Sequence, residues 1–126
     1  MEMEIVFPGG ARVDAVMGNL TVVTNQDGSA PAPFGLFLAS IGTCAGIYVL
    51  SFCTHRNLPT DGIKIIQRLH SNPDTRMIET VDLEIVVPPD FPEKYHDALI
   101  RAADQCAVKK HLEQPPRFNV TTKVVG

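Results

Sequence analysis

The chain has 126 residues, 20% of them charged and 44% apolar, with a net charge of -3. That length allows one domain, residues 1–126, with a real core that a dimer partner could complete. Acids and bases are interspersed and there is no basic stripe or RNA-type aromatic motif, which excludes nucleic-acid binding on electrostatic grounds and favours small-molecule chemistry.

Residues 1–10 begin acidic and lack the basic and apolar regions of a signal peptide, so a cytoplasmic protein is expected. Short alternating runs follow: Met3/Ile5/Phe7, Val13/Ala15/Met17 and Leu20/Val22, broken at Pro8-Gly9-Gly10 and at Gly18-Asn19. They predict three antiparallel strands. Turn residues fill 25–33, and Pro33 suits the start of a helix.

Residues 34–54 then run without one charged side chain. About 20 apolar residues can cross a bilayer, and Gly42 and Gly46 satisfy a small-xxx-small pattern. The rest of the chain, however, is amphipathic and needs this segment to cover its apolar faces, so a buried core helix is expected and no membrane. At 100° per residue Gly35, Ala39, Gly42 and Gly46 form one small-residue stripe, where a helix or sheet can come close. Cys44 lies on the opposite side with Phe37, Ser40, Ile47, Tyr48 and Ser51, giving the helix two buried faces.

Ile63/Ile65/Leu69 and Val81/Leu83/Ile85/Val87 alternate with polar residues around the turn Ser71-Asn72-Pro73-Asp74, which predicts a long hairpin. Asp90 is positioned to cap a helix with Pro92 in its first turn. Tyr95, Leu99, Ala102, Ala103 and Cys106 recur at helical spacing, placing Cys106 on that helix's apolar face. A short turn at 108–112, a stop at Pro115-Pro116 and a last strand through Phe118, Val120 and Val124 complete the order βββαββααβ. Grouped strands of this kind give an α+β fold with antiparallel sheet.

Three cysteines, Cys44, Cys53 and Cys106, are an odd number for a structural disulfide framework. No CxxC motif is present and Cys53-Thr54-His55 lacks the paired spacing of a zinc site, so no metal is expected. A cysteine on an apolar helix is ordinarily an inert hydrophobe, since burial raises the thiol pKa.

The segment Pro31 to Cys44, followed by Asp104-Gln105-Cys106-Ala107-Val108, resembles the OsmC/Ohr family of osmotically inducible and organic-hydroperoxide-resistance proteins. The resemblance extends to the order of elements. It implies an intertwined homodimer around a long buried central helix, with Cys44 as peroxidatic thiol and Cys106 as resolving thiol. It further implies hydroperoxide reduction through a sulfenic acid and a Cys44–Cys106 disulfide, in oxidative-stress defence. An external dithiol would be the reductant, with no metal or organic cofactor. Phe37, Ile47 and Tyr48 would bind the organic part of the substrate.

A thiolate in such a site calls for a cation. The family draws an arginine from the N-terminal strands, and Arg12 is the best match; Arg56 could serve only from a partner chain, and Lys109 and Lys110 lie close to Cys106. The hydroperoxide-resistance branch places a glutamate after the helix-starting proline, where it pairs with the arginine. Here that position is Phe34, and Ala107 follows Cys106 where the family has proline. The chain thus resembles the broader OsmC-like group, and the alternative is a non-catalytic module that binds an apolar ligand or senses redox state.

Overall fold

A computed structural model describes all 126 residues, in two compact units, Met1–Ser40 and Ile41–Gly126, with the boundary inside a helix. In the first unit β1 (Glu4–Gly9), β2 (Arg12–Met17) and β3 (Leu20–Asn25) form an antiparallel meander in the order β1-β2-β3. The three predicted strands are therefore present. Gly10 and Gly18 sit at the two tight turns with φ of +58° and +59°, a region that residues bearing a Cβ seldom enter. Side-chain oxygens of Asn25 and Asp27 accept the N–H groups of Asp27 and Ser29 and so fold the loop after β3.

Helix α1 (Pro33–His55) begins on its proline as expected, because the missing N–H there has no helical partner to lose. It ends in a Schellman motif: Asn57 has φ +54°, the Leu58 N–H donates to the Cys53 carbonyl and the Asn57 N–H to the Thr54 carbonyl. By length and composition α1 could cross a membrane. Within the second unit, Ile41, Ala45, Val49 and Phe52 fall within about 80° of one another and are buried.

The second unit continues with β4 (Lys64–Ser71) and β5 (Ile78–Val86), an antiparallel hairpin. Asn72 makes its turn, the Oδ1 accepting the N–H groups of Asp74 and Thr75 while Arg76 takes φ +63°. A 3-10 turn (Glu93–Tyr95), α2 (His96–Ala103) and α3 (Ala107–Glu113) follow. The core gathers Ala45, Val49, Phe52, Cys53, Phe91, Leu99 and Ala103, with Ile65, Ile85 and Val87 packed against it. Burying Leu99, 2% exposed, contributes about 1.5–3 kcal/mol on its own.

Three expectations need correction. Asp90 caps nothing: α2 starts six residues later, after the 3-10 turn, and no side chain caps that turn or α2. Cys106 is not on α2, which stops at Ala103; an extended residue (φ -52°, ψ 126°), it is the N-cap of α3. No strand forms after α3. Residues 115–126 carry no regular structure, and Phe118, Val120 and Val124 are 85–95% exposed; a strand needs an edge to pair with, and this segment pairs with none. Within this single chain, α1 is buried on one face. Ile47 and Leu50, about 140–160° from the centre of that face, are 62% and 48% exposed.

The small-residue stripe has its use at Gly42 and Gly46. A Cβ at Gly42 would lie 2.5 Å from Gln67 Oε1 on β4, and one at Gly46 would lie 3.9 Å from Ile65 Cδ1. Gly35 has nothing within 4 Å of such a Cβ and Ala39 is exposed, so the stripe admits a neighbour in its second half alone.

Candidate active site

The break between α2 and α3 turns the chain so that Cys106 and the first amides of α3 face Cys44 on α1. Three groups pull the Cys44 thiol below its ordinary value: the Val108 amide first, then the Cys106 thiol, then the Ala107 amide, against burial that pushes it up. All three donate hydrogen bonds, and a donor aimed at sulfur favours the thiolate. None of them is a cation.

Cys106 goes the other way. Burial, with 3% of the residue exposed, pushes its thiol up, as do its hydrogen bond to Cys44 and the negative charge there; the Lys109 and Val108 amides offset part of this. Its S–H has a second acceptor in the Ile41 carbonyl at 3.9 Å. Both sulfurs are free thiols. The pair thus divides into a thiol that ionises early and a neighbour that keeps its proton. The thiolate is the nucleophilic form, so the thiol that ionises more readily is the better placed to attack, and the protonated neighbour steadies its charge.

Cys53 is fully buried and its thiol is raised by that burial, with only partial relief from Arg56, so it acts as a core hydrophobe. Arg56 stacks over Phe52, its guanidinium carbon 3.7 Å from the ring centroid, and donates to the Phe52 carbonyl. It closes the end of α1. Lys109 pairs with Asp104 and Glu113. No group of three or more His, Cys, Asp or Glu side chains is arranged to hold a metal.

In the first unit Arg12 meets a carboxylate that the sequence reading missed. Its Nε donates to Asp14 Oδ1 at 2.9 Å and its Nη2 to Oδ2 at 2.8 Å, a bidentate pair, and Asp14 is 4% exposed. Residues two apart on a strand share a face, so the signal was present in the sequence. The arginine raises its own pKa and holds the Asp14 carboxyl below the usual carboxylate range, chiefly through the hydrogen bond between them. Phe34 is no substitute acid; it stacks on Phe37 with ring centroids 5.6 Å apart. Of the expected substrate contacts, Phe37 and Ile47 are exposed and Tyr48 is half-buried.

A cavity of about 670 Å³ opens beside Cys106. Its walls are mostly apolar, among them Ile41, Leu83, Ile85 and Ile100, and Cys106 lines it whereas Cys44 does not.

Cys44, Cys106 and the cavity beside them lie in a stretch, residues 26–121, that matches the model of the OsmC-like proteins and runs across the boundary between the two units; Arg12 and Asp14 precede it. The chain belongs to the OsmC-like family. Solved structures repeat this fold at low identity. An osmotic stress induced and detoxification response protein from Psychrobacter arcticus is 18% identical, with 86% of this chain and 85% of that one covered and a TM-score of 0.70. The OsmC-like protein of Mycoplasma pneumoniae is 9% identical, with coverage of 90% and 87% and a TM-score of 0.69. The organic hydroperoxide resistance protein OhrB of Bacillus subtilis is 16% identical, with coverage of 88% and 90% and a TM-score of 0.51. A sequence comparison with curated proteins gives no match. As an OsmC-like chain, the protein has an α+β fold with antiparallel sheets and three helices.

Proposed function

We propose that this OsmC-like protein is a thiol peroxidase that reduces organic hydroperoxides in oxidative-stress defence. One observation carries the reading: Cys44, favoured as thiolate, takes a hydrogen bond from a second thiol that stays protonated. The Cys44 thiolate attacks the terminal oxygen of the hydroperoxide, the O–O bond breaks, and the alcohol leaves after taking a proton from solvent. The sulfenic acid left on Cys44 is captured by Cys106, with loss of water, as a disulfide. An external dithiol restores both thiols, and no metal or organic cofactor takes part.

Membership of the OsmC-like family supports a stress-related role, and the fold shared with a protein described as conferring organic hydroperoxide resistance agrees with this substrate class. The working form is a cytoplasmic homodimer, a reading supported by the open face of α1 with Ile47 and Leu50 and by the exposed apolar residues of 118–125. Phe37, Ile47 and Tyr48 would meet the organic part of the substrate, and Arg12, whose guanidinium pairs with Asp14, would be the cation for the departing alkoxide.

Intact mass spectrometry after one equivalent of an organic hydroperoxide tests the reading. The expected product is a chain lighter by two hydrogens, with Cys44 joined to Cys106, and turnover in dithiol. Unchanged peroxide consumption in Cys44→Ser would refute the catalytic assignment. Slow oxidation without turnover would point instead to a redox sensor or binding module.

A further inference from the structure

Two sulfurs meet in the second unit without a further ligand beside them. Cys106 Sγ approaches the Ile41 carbonyl at 3.9 Å, which sets it against the turn of α1 that carries Cys44, and the two thiols hydrogen-bond to each other. No third His, Cys, Asp or Glu joins them in a metal-binding group. Glu84 and Asp104, the acids on the neighbouring cavity wall, are held by Arg68 and Lys109. Cys53, farther along α1 and on its opposite side, is buried in the core. Ile41, Ala45 and Ala103, which line the cavity with Cys106, are buried, and Cys106 is itself 3% exposed, so an ion arriving from solvent meets the half-buried Cys44 first.

The number and softness of the ligands choose the ion. Zinc in proteins draws three or four ligands from the chain, and calcium and magnesium want oxygen. Soft thiolates select the cuprous ion, whose closed shell is satisfied by two of them in line. We propose that Cys44 and Cys106 form a two-coordinate site for Cu(I), a function separate from peroxide chemistry that stands whether or not the peroxidase reading holds. Cys44 takes the ion first, from a weaker complex with a small thiol, and Cys106 closes on its other side. Two S–Cu bonds form, the thiol protons pass to solvent, and copper keeps its oxidation state. A chain loaded in this way has no free nucleophile, so copper occupancy and hydroperoxide reduction exclude one another.

The test presents Cu(I) as its bicinchoninate complex to the whole, reduced protein without oxygen. The expected result is transfer of one copper per chain, seen as loss of the complex's visible colour, with X-ray absorption showing two sulfur neighbours and no others. Losing an outer-shell partner of a metal ligand costs about 10–100-fold in affinity, so losing a ligand in Cys44→Ser or Cys106→Ser should cost more than about 100-fold, whereas Cys53→Ala should change nothing. No transfer from the chelator, or undiminished transfer to both serine variants, would overturn the site. Nitrogen or oxygen neighbours, or a third sulfur, around copper in the unaltered chain would overturn it too, and that spectrum needs no variant to fold. Peroxide consumption in the same samples keeps the two readings apart. The loaded protein should leave an organic hydroperoxide untouched and regain turnover once excess bathocuproine disulfonate strips the copper; consumption by the fully loaded chain would overturn the assignment of copper to these two sulfurs. One copper bound by a chain whose metal-free form never consumes hydroperoxide would support the site and refute the peroxidase reading alone.

Discussion

Replacing Ala107 by proline removes one of the two amides that receive the Cys44 thiolate and should leave the fold intact. Ala107 is the first residue of α3, where proline is accepted, and Cys106 before it already has the extended geometry (φ -52°, ψ 126°) that a residue preceding proline prefers. A hydrogen bond to a charged group contributes about 1.5–3 kcal/mol. The Ala107 amide is the weakest of the three donors and Cys44 is only half-buried, so a screened loss of about 1 kcal/mol is the reasonable figure. That lowers the thiolate population on the acid side of the titration about fivefold. The thiolate that remains is more basic and, with a Brønsted slope of about 0.4–0.5, about twofold more nucleophilic. Alkylation of Cys44 should therefore fall about 2.5-fold on the acid side of its titration and rise about twofold on the alkaline plateau, so the two profiles cross. Iodoacetamide labelling followed at the Cys44 peptide from about pH 5 to about pH 10, with a thermal melt as the folding control, measures this. Superimposed profiles, or a parallel fall at every pH, would show that the amides do not set the Cys44 pKa.

Asp14→Asn should flatten the acid limb of stability. The Asp14 carboxyl is lowered by Arg12, so the stability it contributes is complete above the unfolded carboxylate pKa of about 3.9 and is lost as pH falls through the lower native value; urea melts across that range decide it. Gly42→Ala should change stability by less than about 1 kcal/mol, because the helix-propensity gain of about 1 kcal/mol offsets displacement of the flexible Gln67 end. With Gln67→Ala added, chemical denaturation should show the double variant to be the more stable of the two. Ile47→Asp places a charge on the open face of α1 and should convert the proposed homodimer to monomer in sedimentation; an unchanged dimer mass would place the interface elsewhere, and a monomer before substitution would refute the proposed assembly.

Periodicity and punctuating turns determined the strands of the first meander and the β4–β5 hairpin, and an uncharged run opening after Pro33 determined the extent of α1. The same local logic failed at residues 90–106, where the helical spacing of Tyr95, Leu99 and Cys106 continued across a break that only packing imposes. It failed again at residues 118–124, since alternation makes a segment fit to be a strand but cannot supply the neighbouring edge. Family resemblance drew attention to Cys44 and Cys106, and residue chemistry then asked for a cation. The tertiary structure supplied two backbone amides and a protonated thiol instead. Those donors leave no mark in the sequence, because every residue but proline carries an N–H, and its direction is fixed only when α3 is set against α1. Sequence determined which sulfurs were present and how far apart along the chain. Which of them ionises, and which one opens on a cavity, depends on burial and hydrogen-bond direction, quantities that exist only once the chain is folded.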